Sequence, residues 1–441
     1  MKNILFLIAI FGCTSNTHGQ VINTICGTGT AGYTGDNGPA ILAEIWDPFG
    51  IKVDRKGNIY YADNFVVRKI DKNGIITTFA GDGTAGYSGD GGAATMAQFR
   101  GPAGIAVDDT GNVYIADYYT VRKVDTFGIV TTVAGTGVLG FSGDGSQATA
   151  AQMRYPNDVA LDRAGNLYIA DFGDSRIRKV TPFGIISTFA GTGVPGFNGD
   201  NIAATAAQIN EPFDVAVDSV GNVYFSDVSN GRIRKISVST GIITTIGGNG
   251  IPGFTGDGGP ATNAELDGGA GLAMDSIGNL YFSDVINNRI RRINTSGIIS
   301  TIAGNGTIGF SGDGGNPLMA EFNKADKIAV DNKDRVYISD RFNQRIRLIS
   351  YNVSVPGINS GDRAMAIYPN PSAGVFTVHI GTNSKEQTQI SITDVTGQQV
   401  KNISATTNTT FGTTLDVPDG IYYIQAATSN SVYTGKIVIM R

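Results

Sequence analysis

GIAVDDTGNVYIAD, at residues 104–117, is the stretch that decides the fold. It returns as GIKVDRKGNIYYAD at 50–63 and DVALDRAGNLYIAD at 158–171. Three more copies follow: DVAVDSVGNVYFSD at 214–227, GLAMDSIGNLYFSD at 271–284 and KIAVDNKDRVYISD at 327–340. Their first aspartates are Asp54, Asp108, Asp162, Asp218, Asp275 and Asp331, so the unit repeats every 54 to 57 residues. Each copy holds two short apolar runs around a turn such as Gly111-Asn112, which is a hairpin signal. A third run of the RIRKV type follows at 176–180, 232–236, 289–293 and 345–349. A fourth, GIITTFAG-like, lies at 74–81, 128–135, 184–191, 241–248 and 297–304. Four short antiparallel strands per repeat of this length make one propeller blade.

The last copy ends at RIRLIS (345–350) without a fourth run, and an unassigned apolar run, VINTICG (21–27), stands at the other end of the chain. The expectation is an all-β, six-bladed β-propeller over 21–350 in which the N-terminal strand completes the last blade. Such closure removes two open sheet edges that would otherwise invite aggregation. The repeat resembles the NHL family, whose members form six-bladed propellers. The phrase GYSGDGGA (86–93) is similar to NHL repeats of extracellular bacterial proteins and of teneurins.

Composition agrees. Glycine accounts for 61 of 441 residues, about twice the usual share of about 7%. It recurs at no fixed three-residue period, so collagen is excluded. Charged residues are 16%, against a usual 25% or so, too few for coiled coils or long solvated helices. Much of the glycine sits in Gly-Asp turns: Gly35-Asp36, Gly89-Asp90, Gly143-Asp144, Gly199-Asp200, Gly256-Asp257 and Gly312-Asp313. The expectation there is structural, with Gly supplying positive φ and Asp capping the turn. Calcium is the alternative, but each loop offers one carboxylate where Ca²⁺ takes six to eight oxygens.

The first twenty residues, MKNILFLIAIFGCTSNTHGQ, read as a signal peptide. Lys2 precedes an apolar stretch from Ile4 to Phe11, and cleavage is expected near Gln20. An alternative is lipidation at Cys13 in Ile10-Phe11-Gly12-Cys13, where Phe11 fits a lipoprotein box poorly. Cleavage leaves Cys26 as the one cysteine, read as a buried small hydrophobe. No later stretch is long and apolar enough to span a bilayer.

Repeat character stops at Ser350. A linker (351–364) leads to a small β-sandwich domain (365–441). Its segments YPNPSAGVFTV (368–378), ITDVTGQQV (392–400), Gly420-Ile421-Tyr422 and KIVI (436–439) resemble the type A C-terminal sorting domain of the type IX secretion system. That resemblance implies that the secretion machinery is a partner, and that the protein is secreted or held on the outer cell surface, often with the tail removed.

The two histidines are His18 and His379, so 21–350 has none. This excludes His-bound metal sites and Ser-His-Asp triads there. The net charge over 21–362 is −7, from 27 basic and 34 acidic residues, which with export argues against nucleic acid. Candidate binding residues come from two loops that open on one face: the loop before each first strand, and the loop between the second and third. These loops diverge between copies. The first gives Trp46, Arg100, Arg154, Tyr155, Asp158, Glu211, Asp214, Lys324 and Asp326; the second gives Arg341, among aromatics such as Tyr118, Tyr119 and Phe172. Aromatics and arginines are the usual anchors of recognition. The leading reading is a binding module for a protein, peptide or glycan, without a cofactor. The alternatives are a Ca²⁺-assisted hydrolase or lyase working through Asp158, Asp214 or Glu211, and a structural surface module with no ligand.

Overall fold

The computed structural model describes residues 20–351, 365–368, 370, 372–380, 385–394, 398–428 and 432–439. The expected signal peptide except Gln20, with Cys13 and His18, and nearly all of the linker lie outside the described residues. The chain divides into two compact units at residue 352.

In the first unit the third repeat shows the pattern. Pro156–Leu161, Leu167–Asp171, Arg176–Val180 and Ile186–Ala190 form an antiparallel sheet in sequence order. Five further sheets follow the same plan. In the last, the outer position is taken by Gln20–Cys26, which pairs antiparallel with Arg345–Tyr351 from Gln20↔Tyr351 to Cys26↔Ile346. The innermost strands of successive sheets pack on one another, and Ala325–Val330 of the last packs on Pro48–Val53 of the first. The architecture is that of a β-propeller.

Five of the six second strands are buried along their whole length, Ile59–Asp63, Leu167–Asp171 and Val336–Asp340 among them, and in the other, Val113–Asp117, only Tyr114 is half-buried. Neighbouring sheets cover both faces, so the period-2 alternation of a half-exposed strand is lost. One apolar layer, for example, joins Tyr168, Ile177 and Ala190 of the third sheet to Val215, Phe225 and Ile243 of the fourth. Cys26 is fully buried in such a layer, and desolvation pushes its thiol up to about 12.

The first aspartate of each repeat holds the first hairpin. Asp54 accepts the amides of Lys56 and Asn58 at 2.8 Å and the Asn58 side chain at 2.7 Å. Asp162, Asp218 and Asp275 do the same for Asn166, Asn222 and Asn279. In the sixth repeat Arg335 takes the place of asparagine, at 2.7 Å from Asp331.

Among its described residues the second unit contains two sheets. Met365–Tyr368, Val375–Ile380 and Thr410–Thr414 form one; Gln387–Thr393, Gln399–Thr406, Gly420–Ala427 and Val432–Ile439 form the other. Phe376, Val378 and Ile380 from the first share a core with Ile390, Ile392, Ile424 and Ile437 from the second.

Candidate functional site

Residues present in every repeat are consumed by the scaffold. The arginine at the centre of each third strand, such as Arg291, is fully buried. It joins the aspartate of the preceding Gly-Asp turn, Asp257, at 2.9 Å, and the aspartate ending the second strand, Asp284, at 3.2 Å. The aromatic residue of the turn, Phe254, lies over the guanidinium at 4.9 Å. Arg68, Arg234 and Arg347 bridge the same two aspartates in their sheets, and Arg122 and Arg178 hold the turn aspartate at 2.6 Å. Asp36, Asp90 and Asp257 also accept the amides of Thr78, Thr132 and Thr301 in the outer strand. Their oxygens therefore tie the connecting loop to the sheet that follows it.

The aspartate ending each second strand also joins the two divergent loops. Asp63 accepts the amide of Trp46 at 2.6 Å, Asp117 that of Arg100 at 2.8 Å, and Asp171 that of Arg154 at 2.8 Å. Asn210, Asp267 and Asn323 donate likewise to Asp227, Asp284 and Asp340. Desolvation pushes the carboxyl of Asp63 up to about 7, and those of Asp117, Asp284 and Asp340 up to about 6.

The third position of each inner strand runs Gly50, Gly104, Asp158, Asp214, Gly271, Lys327. Lys327 places Nζ 2.9 Å from Asp214 and 3.9 Å from Asp158, and donates to the Phe213 carbonyl at 3.1 Å. Asp158 accepts the Val215 amide at 3.1 Å. All three side chains are buried. Burial, and then the charge of Asp214, hold the Asp158 carboxyl well above its ordinary range, against the pull of Lys327. The glycines make the level possible: a Cβ on Gly104 would sit 2.0 Å from Asp158 Oδ1 and 2.4 Å from its Cα. The trio borders a cavity of about 230 Å³ along the axis, which runs past Val159, Val215 and Ile328 to Lys52. Phe213 and Phe49 lie over the Lys327 ammonium at 4.6 and 5.6 Å.

The ten candidate residues thus separate into groups. Asp158 and Asp214 belong to this buried channel cluster. Asp326, also buried, pairs with Arg341 at 3.0 Å, and Arg341 pairs with Asp47 at 2.5 Å. Tyr155 packs on Tyr118 and Tyr119, Arg100 lies over the Tyr119 ring, and Arg154, next to Tyr155 in the chain, reaches Asp174. Trp46 is 53% exposed, and Lys324 lies over Phe342 at 5.1 Å. Glu211 accepts from Ser229. Four residues just before the inner strands, Asp47, Tyr155, Glu211 and Lys324, hold left-handed backbone with φ near 60°. Gly268 is left-handed at the same position of the fifth sheet. Non-glycine residues there store local strain, which clusters at functional surfaces. Sequence reasoning did not single out Lys327 as the partner of Asp158 and Asp214; the column of three glycines, two aspartates and a lysine was the available signal.

Among the described residues no group of three or more His, Cys, Asp or Glu is placed to hold a metal, and no helix is long and apolar enough to cross a membrane.

Family models match three parts of the chain. The secretion system C-terminal sorting domain matches 366–440. The teneurin NHL domain matches 18–86 and 81–142, and the NHL repeat matches 153–180. Mouse Teneurin-1 is 31% identical over 231 residues, which is 46% of this chain and 8% of the relative. The chain therefore spans less than a tenth of the curated relatives it matches. Two Bacteroides thetaiotaomicron structures share the fold. One, a structural genomics protein of unknown function, superposes with a TM-score of 0.56 at 20% identity, over 75% of this chain and 76% of that one. The other, an auxiliary nutrient binding protein, gives 0.55 at 16%, with the same coverage.

Proposed function

From the premise that the chain is an NHL-repeat protein with a C-terminal sorting domain of the type IX secretion system, we propose that it is an exported binding module. In this reading residues 21–350 form a six-bladed ring closed by the N-terminal strand. Residues 1–20 are the signal peptide, 351–364 the linker, and 365–441 the sandwich domain that engages the secretion machinery. The module recognises an extracellular protein, peptide or glycan through its divergent loops and needs no cofactor.

One observation carries this reading. The repeated residues are spent on the Asp–Arg–Asp clamps, whereas the non-repeated aromatic and basic residues Trp46, Tyr118, Arg154 and Tyr155 stand exposed on one face. Exposed aromatics beside arginines are what interface anchors look like before a partner covers them. Of the carboxylates that a hydrolase or lyase would use, Asp158 and Asp214 are engaged by Lys327 beneath Phe213, and Glu211 accepts from Ser229.

The test is binding of the purified full-length chain to the outer surface of cells, read with Trp46→Ala and Arg154→Ala. Each variant is expected to lower binding about 10-fold or more with an unchanged melting temperature. Binding that survives both substitutions would place the contact elsewhere and sink the proposal.

A further inference from the structure

We propose that the patch formed by Tyr118, Tyr119, Tyr155, Arg100 and Arg154 is a subsite for a uronate-bearing glycan. This names a ligand for the divergent face and rests on the binding reading above.

The patch breaks the repeat twice over. Tyr118 and Tyr119 occupy the turn between second and third strands in the second sheet, where the first sheet has Asn64 and Phe65. Tyr155 stands where the other sheets have Asp47, Gly101, Glu211, Gly268 and Lys324. The three rings meet edge to face or tilted, with centroids 4.7, 5.1 and 5.3 Å apart. Tyr119 and Tyr155 join hydroxyls at 3.4 Å. Tyr118 and Tyr155 are 41% and 39% exposed, and both sit in left-handed backbone, with φ of 57° and 58°. Bulky aromatics are genuine outliers there. Folding alone gives no reason to spend two such residues on a solvent-facing cluster.

Charge narrows the occupant. Arg100 lies over the Tyr119 ring at 5.8 Å, donates to the Gly137 carbonyl at 2.9 Å, and forms no ion pair among the described residues. Arg154 is half exposed, and its contact with the Asp174 carboxylate is long, at 3.5 Å. An aromatic surface with one guanidinium over it that has no ion pair among the described residues, and a second, loosely paired one on the residue next to Tyr155, calls for an anionic ligand, because arginine forks match carboxylates.

Shape favours sugar over peptide. Most peptides dock by extending a free strand edge or by filling a groove, although an acidic motif can also meet clustered arginines. This patch stands on turn tips. Neither the channel cavity nor the cleft of about 620 Å³ beside Gln20 and Arg292 includes any of its residues. A pyranose needs no groove. Its CH-rich face rests on an exposed ring while its hydroxyls meet water and the tyrosine hydroxyls, and a ring carboxylate reaches the arginines.

The experiment is affinity electrophoresis of the full-length chain in EDTA through gels containing polygalacturonate, neutral dextran or polyglutamate, with melting temperatures recorded for every variant. Retardation by polygalacturonate and not by dextran is expected, weakening as salt rises. Arg100→Gln and Tyr155→Ala should each weaken it about 10-fold, Tyr155→Phe should restore most of it, and Phe127→Ser, on an exposed turn outside the patch, should leave it intact. If Tyr155→Ala melts early, Arg100→Gln decides. Retardation by polyglutamate alone assigns the patch to an acidic peptide and overturns the proposal. So does retardation that ignores both substitutions, or none by polygalacturonate. The wider binding reading falls separately, only if Trp46→Ala and Arg154→Ala leave cell-surface binding unchanged.

Discussion

Asp174→Asn should stabilise the protein, and increasingly so as pH rises. In the fourth, fifth and sixth sheets the equivalent residues are Asn230, Asn287 and Asn343. Each donates its side-chain amide to the aspartate ending the second strand, at 2.8 to 2.9 Å. The same amide reaches a backbone carbonyl of the preceding loop (Gly196, Gly253 or Gly309) at 2.7 to 2.8 Å. The third sheet has a carboxyl there. Asp171 and Asp174 are both buried, and Oδ2 of each has no hydrogen-bond partner. Burial first, and then the charge of Asp174, push the Asp171 carboxyl well above its ordinary range; burial also raises Asp174, against Arg154, Arg176 and Arg178.

The substitution supplies two hydrogen bonds of about 1 kcal/mol each. It gives up an attraction to the half-exposed Arg154 that is worth at most about 1 kcal/mol. The net gain is about 1–2 kcal/mol, or roughly 1–3 °C in a unit of this size. The sign with pH follows from proton uptake. A carboxyl raised in the native state binds more protons than in the unfolded chain, so its contribution is full below the unfolded value near 4 and is lost as pH rises through the native value. At low pH a protonated Asp174 already imitates asparagine, so the variant gains little. At pH 8 it gains most. Thermal melts of both proteins from pH 5 to pH 8 test this. A variant that melts no higher than wild type at pH 8, or a gap that does not widen with pH, refutes the reasoning.

Three further outcomes are expected. Arg234→Met strands the fully buried Asp227 carboxylate and loosens Asp200, so urea denaturation should show a loss of about 3–5 kcal/mol. Gly104→Ala drives a methyl into the backbone of Asp158 and should cost about 3 kcal/mol; a neutral result would mean that the inner strands can spread at the channel cluster. The Cys26 thiol, fully buried and pushed up to about 12, should resist a thiol reagent until the protein unfolds, so titration of native protein should find no reactive sulfur there.

The sheets were legible in sequence because every repeat faces the same neighbours and must answer them with the same residues at the same spacing. The N-terminal partner of Arg345–Tyr351 was legible for the same reason, since one outer strand was missing and one run was spare. In the second unit Thr410–Thr414 was not, because TFGTT carries one large apolar residue and a glycine. The candidate face was harder. Divergence between copies marks function in the sequence, and it leads equally to Trp46 and to Asp158. Yet a position filled by glycine in three sheets is one where inner strands nearly touch, and whatever replaces glycine there is buried by the same geometry. Asp158, Asp214 and Lys327 therefore break the repeat to neutralise one another across the axis, a match between residues 113 and 169 positions apart that no local pattern encodes. Tyr155 breaks it at a loop tip, where the Tyr118 and Tyr119 rings meet it but leave it 39% exposed. Divergence finds both kinds of residue; burial separates a private solution to packing from a surface still open to a partner, and on that criterion the tyrosine patch, whose rings meet one another yet leave Tyr118 and Tyr155 exposed, and not the buried channel trio, is where an external ligand has something left to satisfy.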